Sequence, residues 1–326
     1  MIISRTPLRI SFFGGGTDLP EFYRNHRGAV LGTAIDKYIY HSVFRFPSKL
    51  FDYKTRISYS KVECVNDISE IQHRPFREIL KELGVNGDIE IHVASDLPSF
   101  SGLGTSSAFT VGLIKALSAY NNKHIGQAEL TREAVRIERE VLKEAVGCQD
   151  QAFAAYGGLN LITFSQDDGI SVERLSISKT RMEELSESLM LYFTGITRRA
   201  HDIESEKIKN IGAIEDNLKS MLKLVDTAYD LIAGNSSLSK FGLLLDRTWQ
   251  DKKKLSAGVS NEVIDTIYQT AMANGALGGK LLGAGGGGFL LFFVPPENKS
   301  KLRAALSHYH EIKFSMNAPG ATIIHS

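Results

Sequence analysis

The stretch Leu97-Pro-Ser-Phe-Ser-Gly-Leu-Gly-Thr-Ser-Ser-Ala108 decides how the rest of the chain reads. Before it, Asp88-Ile-Glu-Ile-His-Val93 alternates apolar with polar residues, the period of a half-solvated strand. After it, Val111, Ile114 and Leu117 fall on one stripe at helical spacing. A strand therefore passes through a proline turn into Gly102 and Gly104, and a helix opens on three hydroxyls. The first turn of a helix carries unpaired N–H groups and the positive end of the macrodipole, and glycine lets phosphate oxygens approach them. Thr105, Ser106 and Ser107 can add hydrogen bonds or bind the magnesium that accompanies a nucleotide triphosphate. A helix cap needs only one hydroxyl. The surplus predicts an anion site.

Glycine is clustered in two further places, Gly14-Gly15-Gly16 and Gly283-Ala-Gly285-Gly-Gly-Gly288. Clusters of this kind suit backbone that must turn with positive φ or lie close to a ligand, so three of them predict loops converging on one bound molecule. Two familiar phosphate motifs do not account for them. No segment satisfies G-x-x-x-x-G-K-[ST], since Gly279-Lys280 is followed by Leu281. The G-x-G-x-x-G pattern fails at Ser107, and where it is formally met, from Gly283, a strand follows in place of a helix.

Working outward, Gly28 to Phe46 and Ile57 to Val65 read as strands, and Leu130, Ala134, Ile137 and Val141 line a second helix. A short helical stretch from Asp150 ends at Gly157-Gly158, and Leu159 to Phe164 resumes extended structure. The early half is thus a sheet with helices. A lobe boundary falls near residues 165–190. Beyond Thr194 the pattern is mainly helical, with Ile208, Ile211, Leu218, Leu222, Val225 and Ile232 as an apolar stripe closed by Gly234-Asn235. Packing inside a second lobe explains that stripe better than a coiled-coil dimer, because the clear signal is short. A helix over 260–273 and strands at 280–282 and 289–294 make this lobe α+β.

The 326 residues exceed one ordinary domain, and 43% hydrophobic with 23% charged residues fits a folded globular protein. Lys plus Arg (38) nearly cancels Asp plus Glu (37), so no global charge draws the chain to nucleic acid or an anionic membrane. The longest apolar run, Phe289 to Val294, is far short of the about 20 residues a bilayer requires. Arg5 and Arg9 interrupt any secretory signal, and a cytoplasmic location is expected. Cys64 and Cys148 offer neither a disulfide framework nor zinc spacing, so thiols are expected.

Pro98-x-x-x-Gly-Leu-Gly-Thr-Ser-Ser-Ala108 resembles the nucleotide-binding signature of the GHMP kinases, with Thr105 where the usual form has Ser. Thr6-Pro-Leu-Arg-Ile-Ser-Phe-Phe-Gly-Gly-Gly-Thr-Asp-Leu-Pro20 is similar to that family's first motif, and Lys280-Leu-Leu-Gly-Ala-Gly-Gly-Gly-Gly-Phe289 to its third, in family order. A narrower resemblance, to the sugar-kinase branch acting on heptose 7-phosphate and fucose, is carried by Phe12 to Asp18, Gly147 to Gly158 and Thr194-Gly-Ile-Thr-Arg198. It implies an α+β, two-lobe GHMP kinase fold. The N-terminal lobe (1–175) would be of the ribosomal protein S5 domain 2-like type and would hold the ATP loop; the C-terminal lobe (176–326) would be ferredoxin-like. The implied reaction is ATP-dependent phosphorylation of the anomeric hydroxyl of D-glycero-D-manno-heptose 7-phosphate, for nucleotide-heptose synthesis. A free sugar as acceptor, or a non-catalytic sugar and ATP sensor, are the alternatives. ATP and a sugar phosphate are the implied partners, with Mg2+ as cofactor, no nucleic acid and no membrane; a homodimer is left open.

The resemblance also assigns roles. Asp150 corresponds to the catalytic carboxylate, and Arg9 to a basic residue near the acceptor and the transferring phosphate. Ser101, Gly102, Leu103, Gly104, Thr105, Ser106 and Ser107 would bind the ATP phosphates. Ser107 and Glu138 would hold the metal, with Glu140 as the competitor, since residues two apart on a helix face different ways. Gly16, Thr17, Asp18, Gly285 and Gly286 would meet the sugar, and Arg198 or Arg199 its distal phosphate. Cys148 departs from the pattern, standing where relatives carry Lys, and reads as a buried inert thiol.

Overall fold

The computed structural model describes residues 1–197 and 201–326, and for 201–203 the backbone alone. Its first sheet is built on β1 (Ile2–Phe13) and β2 (Gly28–Arg45), a strand long enough to serve two neighbours. β3 (Thr55–Ser58), β4 (Val62–Val65) and β5 (Ile89–Ser95) extend it from one half of β2, in the order β1-β2-β5-β3-β4. From the other half, β6 (Leu159–Phe164) pairs antiparallel with Gly28–Thr33 and carries β7 (Ile170–Arg174). The expected single strand from Ile57 to Val65 is in fact the β3–β4 hairpin, with the alternation interrupted by its turn.

The helix Thr105–Tyr120 lies on this sheet, with Val111, Ile114 and Leu117 fully buried as their spacing predicts. The next helix, Gln127–Arg136, runs into a π-turn over Ile137–Val141, closed by a Leu142 N–H to Ile137 carbonyl bond of 2.8 Å. The extra residue in that turn brings adjacent side chains, Ile137 and Glu138, both to the inside.

The second lobe holds a four-stranded antiparallel sheet of β8 (Leu189–Phe193), β9 (Gly278–Leu281), β10 (Phe289–Phe293) and β11 (His310–Ile312), in the order β11-β8-β10-β9. The helical stripe is split between two helices, His201–Lys209 and Ile211–Ala233. Its buried face is Ile214, Leu218, Met221, Leu224, Val225, Ala228, Leu231 and Ile232, while Ile208, Ile211 and Leu222 are only half-buried. That face packs within the chain, beside the helix Ser239–Lys253. Phe241 of the latter meets Phe12 and Phe13 edge-on, at 5.3 and 5.2 Å between centroids, so one apolar core runs across both lobes.

The last strand, β12 (Thr322–His325), returns to the first lobe and pairs antiparallel with β1. We place the lobe boundary between 175 and 176 as a proposal, with the end of the second lobe corrected: residues 322–325 belong to the first sheet.

Candidate active site

A cleft of about 1110 Å³, mouth included, opens between the lobes, and all three glycine clusters line it. Their meeting is direct. Gly102 and Gly283 touch backbone to backbone, so that a Cβ on Gly283 would lie 2.4 Å from the Gly102 Cα. Both have φ in the left-handed region, +81° and +71°, which glycine alone adopts without strain. The first and third motifs thus brace the second.

The helix Thr105–Tyr120 starts from Gly104, itself left-handed, with no side chain capping its N–H groups. Thr105, Ser106 and Ser107 line the cleft there, so the hydroxyls are not spent on a cap. Ser101 and Leu103 support the loop from behind. The Ser101 hydroxyl donates to the Pro98 carbonyl at 2.7 Å, and the Leu103 carbonyl accepts from the Arg9 N–H at 3.0 Å.

Arg9 reaches from β1 into the cleft and is almost fully buried. Its Nε and Nη2 donate to the two carboxylate oxygens of Asp150, both at 2.7 Å, and its Nη1 donates to the Gly102 carbonyl at 2.6 Å. This fork fixes the orientation of both side chains. Asp150 sits in the first turn of the helix Gln149–Tyr156 and keeps 23% of its side chain exposed to the cleft.

Asp18 lies beside them. The Gly16 N–H donates to one of its oxygens at 2.9 Å and the Gln149 N–H to the other at 3.3 Å. Burial, then the neighbouring Asp150 charge, push its carboxyl up to about 6. Gly147 is glycine because a Cβ there would meet Asp18 Oδ2 at 1.9 Å. Gly16 and Gly285 also line the cleft. Thr17 does not: its hydroxyl lies 2.8 Å from both the Gly14 and Ala29 carbonyls, with one hydrogen to share between them, accepts from the Ala29 N–H, and closes the loop. Gly286 is likewise structural, its N–H bonded to the Val259 carbonyl at 3.0 Å and its carbonyl accepting from Asn261. Arg198 and Arg199 lie outside the described residues.

Glu138 is buried and Glu140 is exposed, which separates the two metal candidates. Glu138 Oε2 accepts from the Ser107 hydroxyl at 2.9 Å and from Gln151 Nε2 at 2.5 Å. Among the described residues its Oε1 has no hydrogen-bond partner, the nearby Thr110 hydroxyl being turned to the Ser106 carbonyl at 3.3 Å. Burial pushes this carboxyl up to about 7. A carboxylate oxygen without a partner next to a serine hydroxyl fits a hard cation such as magnesium, which takes one or two protein ligands and otherwise phosphate and water. Cys148 is buried, within 3.7 Å of the Tyr23 hydroxyl, and burial pushes its thiol up to about 12, so it is inert.

Four cleft residues escaped the reading of the sequence: Glu204, Lys207, Lys252 and Lys280. Lys252 sits in the basic run Asp251-Lys-Lys-Lys254, which looks like a solvated helix end. The signal that distinguishes it is phase: Phe241, Leu245, Thr248, Trp249 and Lys252 share the buried face of one helix. Lys207 stands one turn from Glu204, and Lys280 had entered only as the start of the third motif and in breaking a Walker pattern, with no role of its own.

Two family models match the chain, GHMP kinases N terminal domain over residues 72–158 and GHMP kinases C terminal over residues 227–311. D-glycero-alpha-D-manno-heptose 7-phosphate kinase of Campylobacter jejuni is 35% identical over 315 residues, 94% of this chain and 93% of that protein. The crystal structure of a D-glycero-D-manno-heptose 1-phosphate kinase from Bacteroides thetaiotaomicron matches with a TM-score of 0.80 at 26% identity, covering 100% of both chains. The L-fucokinase/L-fucose-1-P guanylyltransferase of Bacteroides fragilis is 26% identical over 94% of this chain, which spans 36% of that longer protein. No helix among the described residues is long and apolar enough to cross a membrane. With both halves matched in order and the likeness running nearly end to end, the chain belongs to the GHMP kinase family.

Proposed function

We propose that the protein is an ATP-dependent sugar kinase that phosphorylates the anomeric hydroxyl of D-glycero-D-manno-heptose 7-phosphate, giving the 1,7-bisphosphate for nucleotide-heptose synthesis. Its working place would be the cytoplasm, with ATP and the sugar phosphate as its partners. The likeness to the Campylobacter enzyme supports the substrate class, and the site supports the chemistry.

Phosphoryl transfer asks chiefly for position and charge neutralisation, because the transition state is loose. The uncapped amides and hydroxyls of Thr105 to Ser107 would hold the ATP phosphates in fixed orientation. Glu138 and Ser107 would hold magnesium, whose charge offsets that of the triphosphate. Asp18, fastened by two main-chain N–H groups, has lone pairs for sugar hydroxyls. Asp150 keeps lone pairs free beside its bonds to Arg9, enough to accept a hydrogen bond from the incoming alcohol and align it. Arg9 then stands next to the point where charge shifts from nucleotide to acceptor.

The observation that carries this reading is the Arg9–Asp150 fork beside the uncapped helix start. A coupled ADP-release assay over heptose 7-phosphate, free heptose, fucose and mevalonate tests it. Turnover highest on heptose 7-phosphate is expected. A preference for an unphosphorylated sugar would move the substrate, and ADP release on none of them would leave a ligand sensor in its place.

A further inference from the structure

Lys252 and Lys280 are both more than nine-tenths buried, and both line the cleft. The Lys252 ammonium donates to the Leu281 and Gly283 carbonyls at 2.8 and 2.5 Å, and that of Lys280 to the Ser11 and Phe12 carbonyls at 2.9 and 2.8 Å. An ammonium has three N–H donors, so each keeps one for the cleft. Among the described residues neither is paired with a carboxylate. The other two cations of the cleft are: Arg9 faces Asp150, and Lys207 donates to Glu204 at 3.0 Å while also holding the Ala284 carbonyl at 3.1 Å. Burial and the neighbouring cations push Lys280 down to about 7 and Lys252 well below its ordinary value. Buried ammonium groups left without a counter-charge are costly, and an anion that supplies one is bound strongly.

The helix start, the Glu138–Ser107 metal position and Arg9 already form a complement for a triphosphate. The two unpaired lysines reach the cleft by way of β9 and the helix Ser239–Lys253, beside Gly283, and call for a second dianion. We propose that Lys252 and Lys280, flanked by Lys207, form the subsite for a phosphate monoester that the sugar already carries when it binds. The inference rests on the sugar-kinase reading and deepens it: phosphorylated sugars are selected here, by paired ammonium groups.

The test compares wild type with Lys252→Met at saturating ATP, on heptose 7-phosphate and on the same heptose without its phosphate. Loss of one charged contact to phosphate is expected to lower kcat/KM for the phosphorylated sugar by about 10- to 100-fold. The unphosphorylated sugar and the KM for ATP should change by no more than about twofold. Equal loss on both sugars, with the melting temperature of the variant unchanged, would mean that the lysines serve transfer in general and not the sugar's phosphate, a rise confined to the KM for ATP would assign them to the nucleotide, and no loss would leave them structural; each overturns the proposal. Lys280→Met, measured the same way, guards against a defect peculiar to one helix. Should wild type turn over neither sugar, the heptose kinase reading fails by itself. The subsite is then judged by calorimetry with inorganic phosphate in the presence of ADP: binding lost in Lys252→Met supports it, and no binding to wild type overturns it.

Discussion

The wall of the cleft built from Gly102 to Ser107 presents main-chain amides and short hydroxyls, whereas the wall holding Lys207, Lys252 and Lys280 presents ammonium groups at the ends of long side chains. The first kind of positive charge is fixed by the geometry of a helix start and does not titrate. The second kind does: Lys280, pushed down to about 7, can lose its proton near neutrality in the empty site. One wall is therefore ready at any pH, and the other is completed by what binds to it. The two carboxylates proposed for the reaction differ in the same way. Asp150 has its charge met by Arg9 within the protein, while Glu138 has an oxygen with no partner among the described residues.

The sharpest way to break this comparison is at Asp150. Asp150→Asn keeps the shape but loses the fork to Arg9, and kcat should fall by about 100- to 10,000-fold while ADP affinity, measured by calorimetry, stays within about twofold. A kcat within tenfold of wild type would show that the alcohol is aligned by something else.

Glu138→Gln comes next and should raise the magnesium concentration needed for half-activation by about 10- to 100-fold. The same variant should make the empty protein more stable. The folded carboxyl at about 7 lies above its ordinary 4.5, so the native state holds an extra proton between those values. The associated stability is present below pH 4.5 and is lost as pH rises through 7. In chelator, the melting temperature of wild type should drop between pH 5 and 8 more steeply than that of Glu138→Gln. Parallel curves would mean that Glu138 titrates normally.

Gly147→Ala tests the sugar side. Its added Cβ must displace the Asp18 carboxylate, and KM for the sugar should rise about tenfold with KM for ATP unchanged. Cys148→Ala should have the smallest effect, with kcat within about twofold, because the thiol is buried, protonated and turned to Tyr23 and not into the cleft. A larger loss would give that position a part in the chemistry.

The glycine loop and its helix were legible in the sequence as a short local pattern, while Asp150, Asp18 and Arg9, which line the cleft, were singled out only by the family resemblance. Glu138 was legible only as one of two glutamates; the π-turn that buries it leaves no mark in a 3.6-residue period. The β3–β4 hairpin was missed because the break in alternation at its turn, Ser60-Lys61, is only two residues long. The stripe from Ile208 to Ile232 blurred at the junction of two helices, since the phase changes there. The lysine wall was least visible. Its members come from three separated segments, and only the fold tells Lys252 from Lys253 and Lys254.

The pairing of β12 with β1 bears on how the enzyme is made. β1 carries Arg9, and the strand that covers its outer edge, at 322–325, comes much later in the chain. Until then the edge of the sheet stands open to other nascent chains or to chaperones. Lys280, which grips the Ser11 and Phe12 carbonyls, is also translated late. Arg9 thus acquires its final setting only after β9 and β12, both far along the chain, have joined β1, which ties the shape of the cleft to the folding of both lobes.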